Sequence, residues 1–265
     1  MKSNLSKEIV DTHFHVFSAG DGLQAARYKP LYDASLGAWQ QAGGRVGVRR
    51  GVLVQTSFMG ADNARLLHEL KSEPDRLRGI AVVSSDVDTA QFAHWHAIGV
   101  RGIRLNLAGV SHEIPDWSCA DLVWSAMQEL GWHLEIHTDI GGLPRVLQQL
   151  PSDIPLVLDH MAKPDRIAVD DPTVQCVLQR IGKTPVHVKL SGAYRLAGRA
   201  ADQIAGMWSD LLGVQQLLWG SDWPCTNHEA EADYSKLFQQ LESWVGEESI
   251  EKVLVHNPFA LYWKK

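Results

Sequence analysis

Two histidines one residue apart, His13 and His15, sit at the end of the apolar run Val10-Asp11-Thr12-His13-Phe14-His15-Val16-Phe17, near the start of this 265-residue chain. In an extended strand, side chains two apart point the same way, so two imidazoles converge on one point at the strand's C-terminal end. A lone carboxylate, Asp222, ends another apolar run near the far end of the chain, in Leu218-Trp219-Gly220-Ser221-Asp222-Trp223-Pro224. In that largely apolar surround a carboxylate suits the work of a general base. His137 and His160 stand at the ends of two further apolar runs between them.

The elements that must position these groups are legible as an alternation. Short β-type runs fall at 9–12, 51–55, 78–83, 102–106, 133–137, 155–160, 186–191 and 217–221. Stretches with helical spacing separate them, at 36–42, 63–72, 89–98, 120–130, 143–150, 172–181, 202–212 and 231–244. Strands alternating with helices imply parallel pairing through right-handed crossovers. Eight such units fit a single (β/α)8 TIM barrel, which typically takes about 250 residues. An open doubly wound sheet would want a Gly-x-Gly-x-x-Gly turn after its first strand, and none is present. A closing helix is predicted over 250–263, kinked or restarted at Pro258. The whole chain, 1–265, reads as one domain, because no linker or compositional break interrupts it.

In a barrel the active site lies where strands end, on the C-terminal face. The polar groups gathered there are His13, His15, Ser57, Arg104, His137, His160, Ser191 with Arg195, and Asp222. Ser57, with Tyr28 or Tyr32 in the long first loop, is placed to donate hydrogen bonds to a substrate. Trp223 is placed to wall the site, and His228 can reach the rim. His133, Glu135 and His137 alternate onto one face of their strand, which leaves His137 as ligand, substrate contact or structural group. Arg101 and Arg104, three apart in a strand, face opposite ways.

Composition excludes several partners. A net charge of −6 gives no basic face for nucleic acid, while local arginines still allow a small anionic substrate. No apolar run reaches the roughly 18 residues that a membrane span needs, and residues 1–7 lack a signal-peptide core. The three cysteines, Cys119, Cys176 and Cys225, are scattered and odd in number, which suits a reducing cytoplasm. The oligomeric state stays open.

Five stretches together resemble the amidohydrolase superfamily (the amidohydrolase 2 type), in its branch of 2-pyrone-4,6-dicarboxylate lactonases and sugar lactonases. They are Asp11-Thr12-His13-Phe14-His15, Val54-Gln55-Thr56-Ser57, Arg101-Gly102-Ile103-Arg104-Leu105-Asn106, Asp159-His160-Met161-Ala162-Lys163-Pro164-Asp165 and Trp219-Gly220-Ser221-Asp222-Trp223-Pro224. The resemblance implies a distorted barrel and a hydrolase of the lactonase type, with Asp222, His13, His15 and His160 as catalytic residues. It implies substrate contacts from Arg104 and Arg195, joined by Ser57, His137 and Tyr28, and leaves Arg101 as a structural ion-pair partner. Water activated by Asp222 would attack the ring carbonyl of a small carboxylate-bearing lactone. The resemblance also allows two cofactor states: no metal, or one divalent ion such as zinc on His13, His15, His137 and Asp222. No lysine stands at the fourth strand, so a lysine-bridged two-metal centre is not expected. The branch's dicarboxylate pattern has a further arginine six residues beyond Arg104, where this chain has Val110. That departure brings in lactones with a single carboxylate and sugar-acid lactones. A metal-dependent decarboxylase of an aromatic acid and an inactive ligand-binding barrel are the alternatives.

Overall fold

The computed structural model describes residues 8–23, 26, 28–114 and 120–264. The expectations for residues 1–7 and for Cys119 therefore lie outside the described residues. Eight strands run in chain order around one parallel sheet: β1 (Ile9–Phe14), β2 (Val48–Val54), β3 (Leu77–Ala81), β4 (Val100–Asn106), β5 (His133–His137), β6 (Leu156–Leu158), β7 (Val186–Leu190) and β8 (Leu217–Trp219). The first and last strands close the ring through the segment just after β8. There the Asp222 amide donates to the His13 carbonyl and the His15 amide to the Trp223 carbonyl, both at 2.8 Å. The predicted (β/α)8 barrel is what forms, distorted at this seam.

The helices are α1 (Leu36–Gly44), α2 (Ala64–Ser72), α3 (Gln91–Ile98), α4 (Ala120–Glu129), α5 (Leu143–Leu147), α6 (Pro172–Ile181), α7 (Ala201–Leu212) and α8 (Tyr234–Val245). Side-chain caps set several starts. Ser35, Asp171 and Asp233 accept from the amides of Ala38, Thr173 and Lys236, satisfying donors that the first helical turn leaves free. The Asp233 cap explains why α8 begins three residues later than its periodicity suggested. Among the described residues, no helix is long and apolar enough to cross a membrane.

The predicted sixth and eighth strands run to residues 160 and 221, but pairing stops at Leu158 and Trp219. The reason is backbone conformation: His160 and Asp222 adopt φ of 50° and 58°, which no strand accommodates. The closing helix stays helical through Pro258 and winds in wide π-type turns over Lys252–His256 and Phe259–Trp263, in place of the predicted kink. A wider turn tolerates the amide that proline lacks.

Among the described residues apolar packing forms three clusters, two of which belong to the barrel itself. The larger lies between strands and helices. The smaller fills the barrel's inside with Val52, Val54, Ile80, Val157 and Leu218, stoppered by Tyr262 from the closing helix. Asp11 joins the seam to the outer layer: its carboxylate accepts from Ser221 Oγ (2.6 Å), Trp39 Nε1 (2.9 Å) and Tyr234 OH (2.8 Å). Arg101 donates from Nε to the Tyr262 carbonyl at 3.1 Å, with further bonds to backbone carbonyls, in place of the expected carboxylate partner.

Candidate active site

At the C-terminal ends of the strands a cavity of about 830 Å³ opens, a size suited to a small molecule. Eight of the nine predicted site residues line it: His15, Tyr28, Ser57, Arg104, His137, His160, Arg195 and Asp222. The ninth, His13, is fully buried behind that wall. Trp223 faces a neighbouring hollow with Tyr32 and Pro224. His228 tilts over the Tyr194 ring at 4.9 Å and pairs with Glu231 at 3.3 Å.

Asp222 is gripped on one side only. Its Oδ2 accepts from Tyr194 OH at 2.7 Å and from Arg195 Nε at 2.6 Å. Its Oδ1 faces His13 Nε2 at 3.6 Å and His15 Nε2 at 3.5 Å. His15 Nδ1–H donates to the Val54 carbonyl at 2.7 Å, which leaves the Nε2 lone pair turned toward Asp222 in the neutral ring. Burial alone would raise the Asp222 carboxyl, but the Arg195 guanidinium beside it outweighs that and holds the group well below its ordinary range. It stays ionised.

Two glycines make this convergence possible. A β-carbon on Gly220 would lie 2.5 Å from that of His13, so the chain after β8 could not approach β1 with any side chain there. Gly192, at φ +59°, lies under His160, and a β-carbon would meet His160 Nδ1 at 2.6 Å. His160 itself receives or donates a hydrogen bond with Ser191 Oγ at 3.0 Å. It opens a run of four residues with left-handed backbone: His160, Met161, Ala162 and Lys163 have φ of 50°, 59°, 56° and 44°. Each such residue costs roughly 1–2 kcal/mol, so the surroundings must over-determine the turn. Trp208 Nε1 on the Met161 carbonyl (2.9 Å) and the Gly141 amide on the Lys163 carbonyl (3.0 Å) do so.

Beneath the cavity lies a layer of buried charge. Lys189 Nζ, fully buried in β7, is 2.5 Å from Glu135 Oε2 and 3.2 Å from His13 Nδ1. Asp159 Oδ1 lies 3.1 Å from His13 Nδ1, and its Oδ2 accepts from Arg104 Nη2 at 3.2 Å. Arg104 Nη1 also donates to the Gln55 carbonyl at 3.1 Å. Burial lowers His13 to about 3, and lowers His137 and His160 well below the ordinary histidine value, so these rings are neutral near pH 7. Sequence reasoning missed Lys189, Asp159, Tyr194 and Lys163 as parts of the site. A lysine in the middle of the apolar run Val186–Leu190 was the available signal, because a charge there must be paired.

Among the described residues two sets of donors lie within 4.8 Å of one another, His13 with His15 and Asp222, and His13 with Asp159 and His160, and the first matches the expected ligands. His13 Nε2 is buried and has no hydrogen-bond partner, as a ligand nitrogen would be. Its separation from Asp222 is close to the about 3.3 Å edge of a tetrahedron with ~2.0 Å bonds. Two imidazole nitrogens and a carboxylate oxygen suit a divalent ion of the zinc type. His137, the predicted fourth ligand, stands apart from this group, with Nε2 2.8 Å from Lys163 Nζ.

The amidohydrolase family model matches residues 10–263 of this chain. The chain belongs to the amidohydrolase family. A 2-pyrone-4,6-dicarboxylate hydrolase of Comamonas testosteroni is 28% identical, over 96% of this amidohydrolase and 90% of the relative. A 4-sulfomuconolactone hydrolase of Rhizobium radiobacter is 25% identical, over 95% and 89% respectively. The crystal structure of a probable 2-pyrone-4,6-dicarboxylic acid hydrolase from Acinetobacter baumannii, with citric acid bound, superposes with a TM-score of 0.86 at 31% identity, covering 97% of this chain and all of that one.

Proposed function

We propose that this amidohydrolase opens a small lactone bearing a carboxylate, with Asp222 as general base. One observation carries the reading: an ionised carboxylate at the cavity wall has one oxygen locked by Arg195 and Tyr194 and the other turned toward two histidines. The names of the Comamonas, Rhizobium and Acinetobacter relatives, all hydrolases of cyclic esters, support it.

In this scheme Arg104 and Arg195 orient the substrate's carboxylate, which holds the ring carbonyl over His13, His15 and His160. Water attacks the carbonyl carbon while its proton passes to Asp222 Oδ1. Neutral His160, which lines the cavity, donates to the developing oxyanion. The ring carbon–oxygen bond then breaks, and the proton held by Asp222 goes to the departing ring oxygen, leaving an open-chain acid. A divalent ion, when bound on His13, His15 and Asp222, would supply Lewis acidity toward the carbonyl.

The test is a panel of carboxylate-bearing lactones and aromatic acids, with ring opening followed by ultraviolet absorbance and CO₂ release followed in parallel. Ring opening without CO₂ is expected. CO₂ release from an aromatic acid with every lactone left intact would overturn the reading in favour of a decarboxylase, and tight binding without any turnover in favour of a binding protein. Metal analysis of the active protein, paired with chelator treatment, identifies which cofactor state turns over.

A further inference from the structure

The cavity wall divides by chemistry around the ring of strands. Every described lining residue contributed by β5 to β8, or by the loops after them, is polar, from His137 to Asn227. The apolar lining side chains, Leu23, Ala26, Phe58, Ala108 and Val110, all come from the loops after β1, β2 and β4, which belong to one half of the sheet. Depth separates the two kinds as well. Leu23 and Val110 are 54% and 44% exposed, against 4% or less for Arg104, His160 and Asp222. The apolar groups stand toward the mouth and the ionisable ones at the floor.

These side chains are held in water rather than left there by a loose loop. The Leu23 amide donates to the Phe58 carbonyl at 2.8 Å, and the Leu23 side chain folds over Gly60, where an added β-carbon would lie 2.8 Å from it. The Gly109 amide donates to both oxygens of Asp139, at 3.0 and 2.9 Å, and so sets the turn that carries Val110. Phe58, itself buried, joins the wall to the apolar cluster of Phe17, Ala34 and Met59. Single exposed leucines are ordinary, but apolar groups sharing one concave wall mark a ligand surface. Volume agrees. At about 830 Å³ the cavity lies toward the upper end of the range for ligand sites, and a bare lactone ring with one carboxylate leaves much of it unfilled.

We propose that the substrate carries an apolar substituent, an alkyl or aryl group, which lies against Leu23, Phe58 and Val110 while Arg104 and Arg195 hold its carboxylate. This rests on the lactonase reading of the same cavity and narrows it to lactones that are charged at one end and apolar at the other. Burial of the substituent supplies binding energy remote from the reacting carbonyl, which helps to hold the ring over the floor.

The experiment uses benzoate and its 4-methyl, 4-ethyl and 4-butyl derivatives, ring acids with no ester bond to hydrolyse, titrated calorimetrically into the wild-type protein. Affinity is expected to rise about two- to fourfold for each carbon added, and at least about tenfold from benzoate to 4-butylbenzoate, with a more negative heat-capacity change. A polar chain of the same length, in 4-(2-hydroxyethoxy)benzoate, should gain less than about threefold. Leu23→Asn/Val110→Asn should cut the butyl gain to under about threefold while benzoate affinity stays within about threefold of wild type. Val110→Asn alone, at the tip of a surface turn, should remove part of the gain. No measurable binding of these acids, equal binding of benzoate and 4-butylbenzoate, an equal gain from the polar chain, or an undiminished gain in both variants would each overturn the apolar wall. Turnover enters none of these readouts. Lactone opening with a flat alkyl series therefore refutes this inference alone, and an alkyl gain with every lactone left intact refutes the catalytic reading alone.

Discussion

Acid should unfold this protein unusually early, because it buries so many neutral histidines. Burial lowers His13 to about 3 and His187 to about 4, and holds His133, His137 and His160 well below 6.5. The unfolded chain takes up these protons near pH 6.5 and the folded chain does not. Their contribution to stability is therefore present above that value and is lost as pH falls toward the folded values. Between about pH 7.5 and about pH 5 each ring loses roughly 2 kcal/mol, on the order of 10 kcal/mol for the five. Glu135 opposes this. Burial, with help from Asp159, raises it from 4.5 to about 8, so its proton is held more tightly in the folded state. That returns about 3 kcal/mol over the same interval. The net loss, on the order of 7 kcal/mol, is comparable with the whole stability of a typical domain, about 5–15 kcal/mol. Urea unfolding at half-unit pH steps measures it. His133→Phe supplies an internal check: His133 packs on Tyr262 at 5.4 Å and its Nε2 has no partner. Its removal should flatten the pH slope by about 1.4 kcal/mol per unit. A net loss under about 2 kcal/mol, or an unchanged slope in His133→Phe, would refute the assignment of neutral buried rings.

Three further outcomes follow from the geometry. Asp222→Asn should leave the fold intact and cut lactone turnover by about 10²–10⁴-fold; near wild-type kcat with correct circular dichroism would remove Asp222 from the base role. Gly192→Ala should cost about 1–3 kcal/mol in thermal or urea unfolding and disturb His160, since its β-carbon would meet His160 Nδ1 at 2.6 Å in a left-handed backbone; a neutral effect would mean the two strand ends are not closely apposed. Lys189→Met, which strands Glu135 and Asp159, should destabilise by about 3–5 kcal/mol above about pH 8, where Glu135 is ionised, with Lys189→Met/Glu135→Gln recovering part of that loss; a double variant no more stable than the single one at that pH would show that Lys189 does not act through Glu135.

Much of this architecture can be read in the sequence because its signals are local. Strand and helix alternate with clear periodicity, and the polar groups at the ends of the apolar runs name the mouth of the barrel. His15, His160, Arg104, Arg195 and Asp222 line the same cavity. The ends of β6 and β8 were less legible. The predicted strands continue past Leu158 and Trp219, while the pairing stops there because His160 and Asp222 take left-handed backbone, which a strand pattern does not announce. Trp223 points into the adjacent hollow for the same reason.

The sequence by itself determined which strands bring polar groups to the cavity and at which end, because strand alternation and strand ends are properties of a few consecutive residues. Tertiary structure alone decided how those groups are charged and paired. Lys189, Glu135 and His13 come from three different strands and Asp159 from the end of a fourth, and they meet only when the barrel closes. Whether a buried group is ionised depends on burial and on partners across the ring, and neither is written in the spacing of the chain.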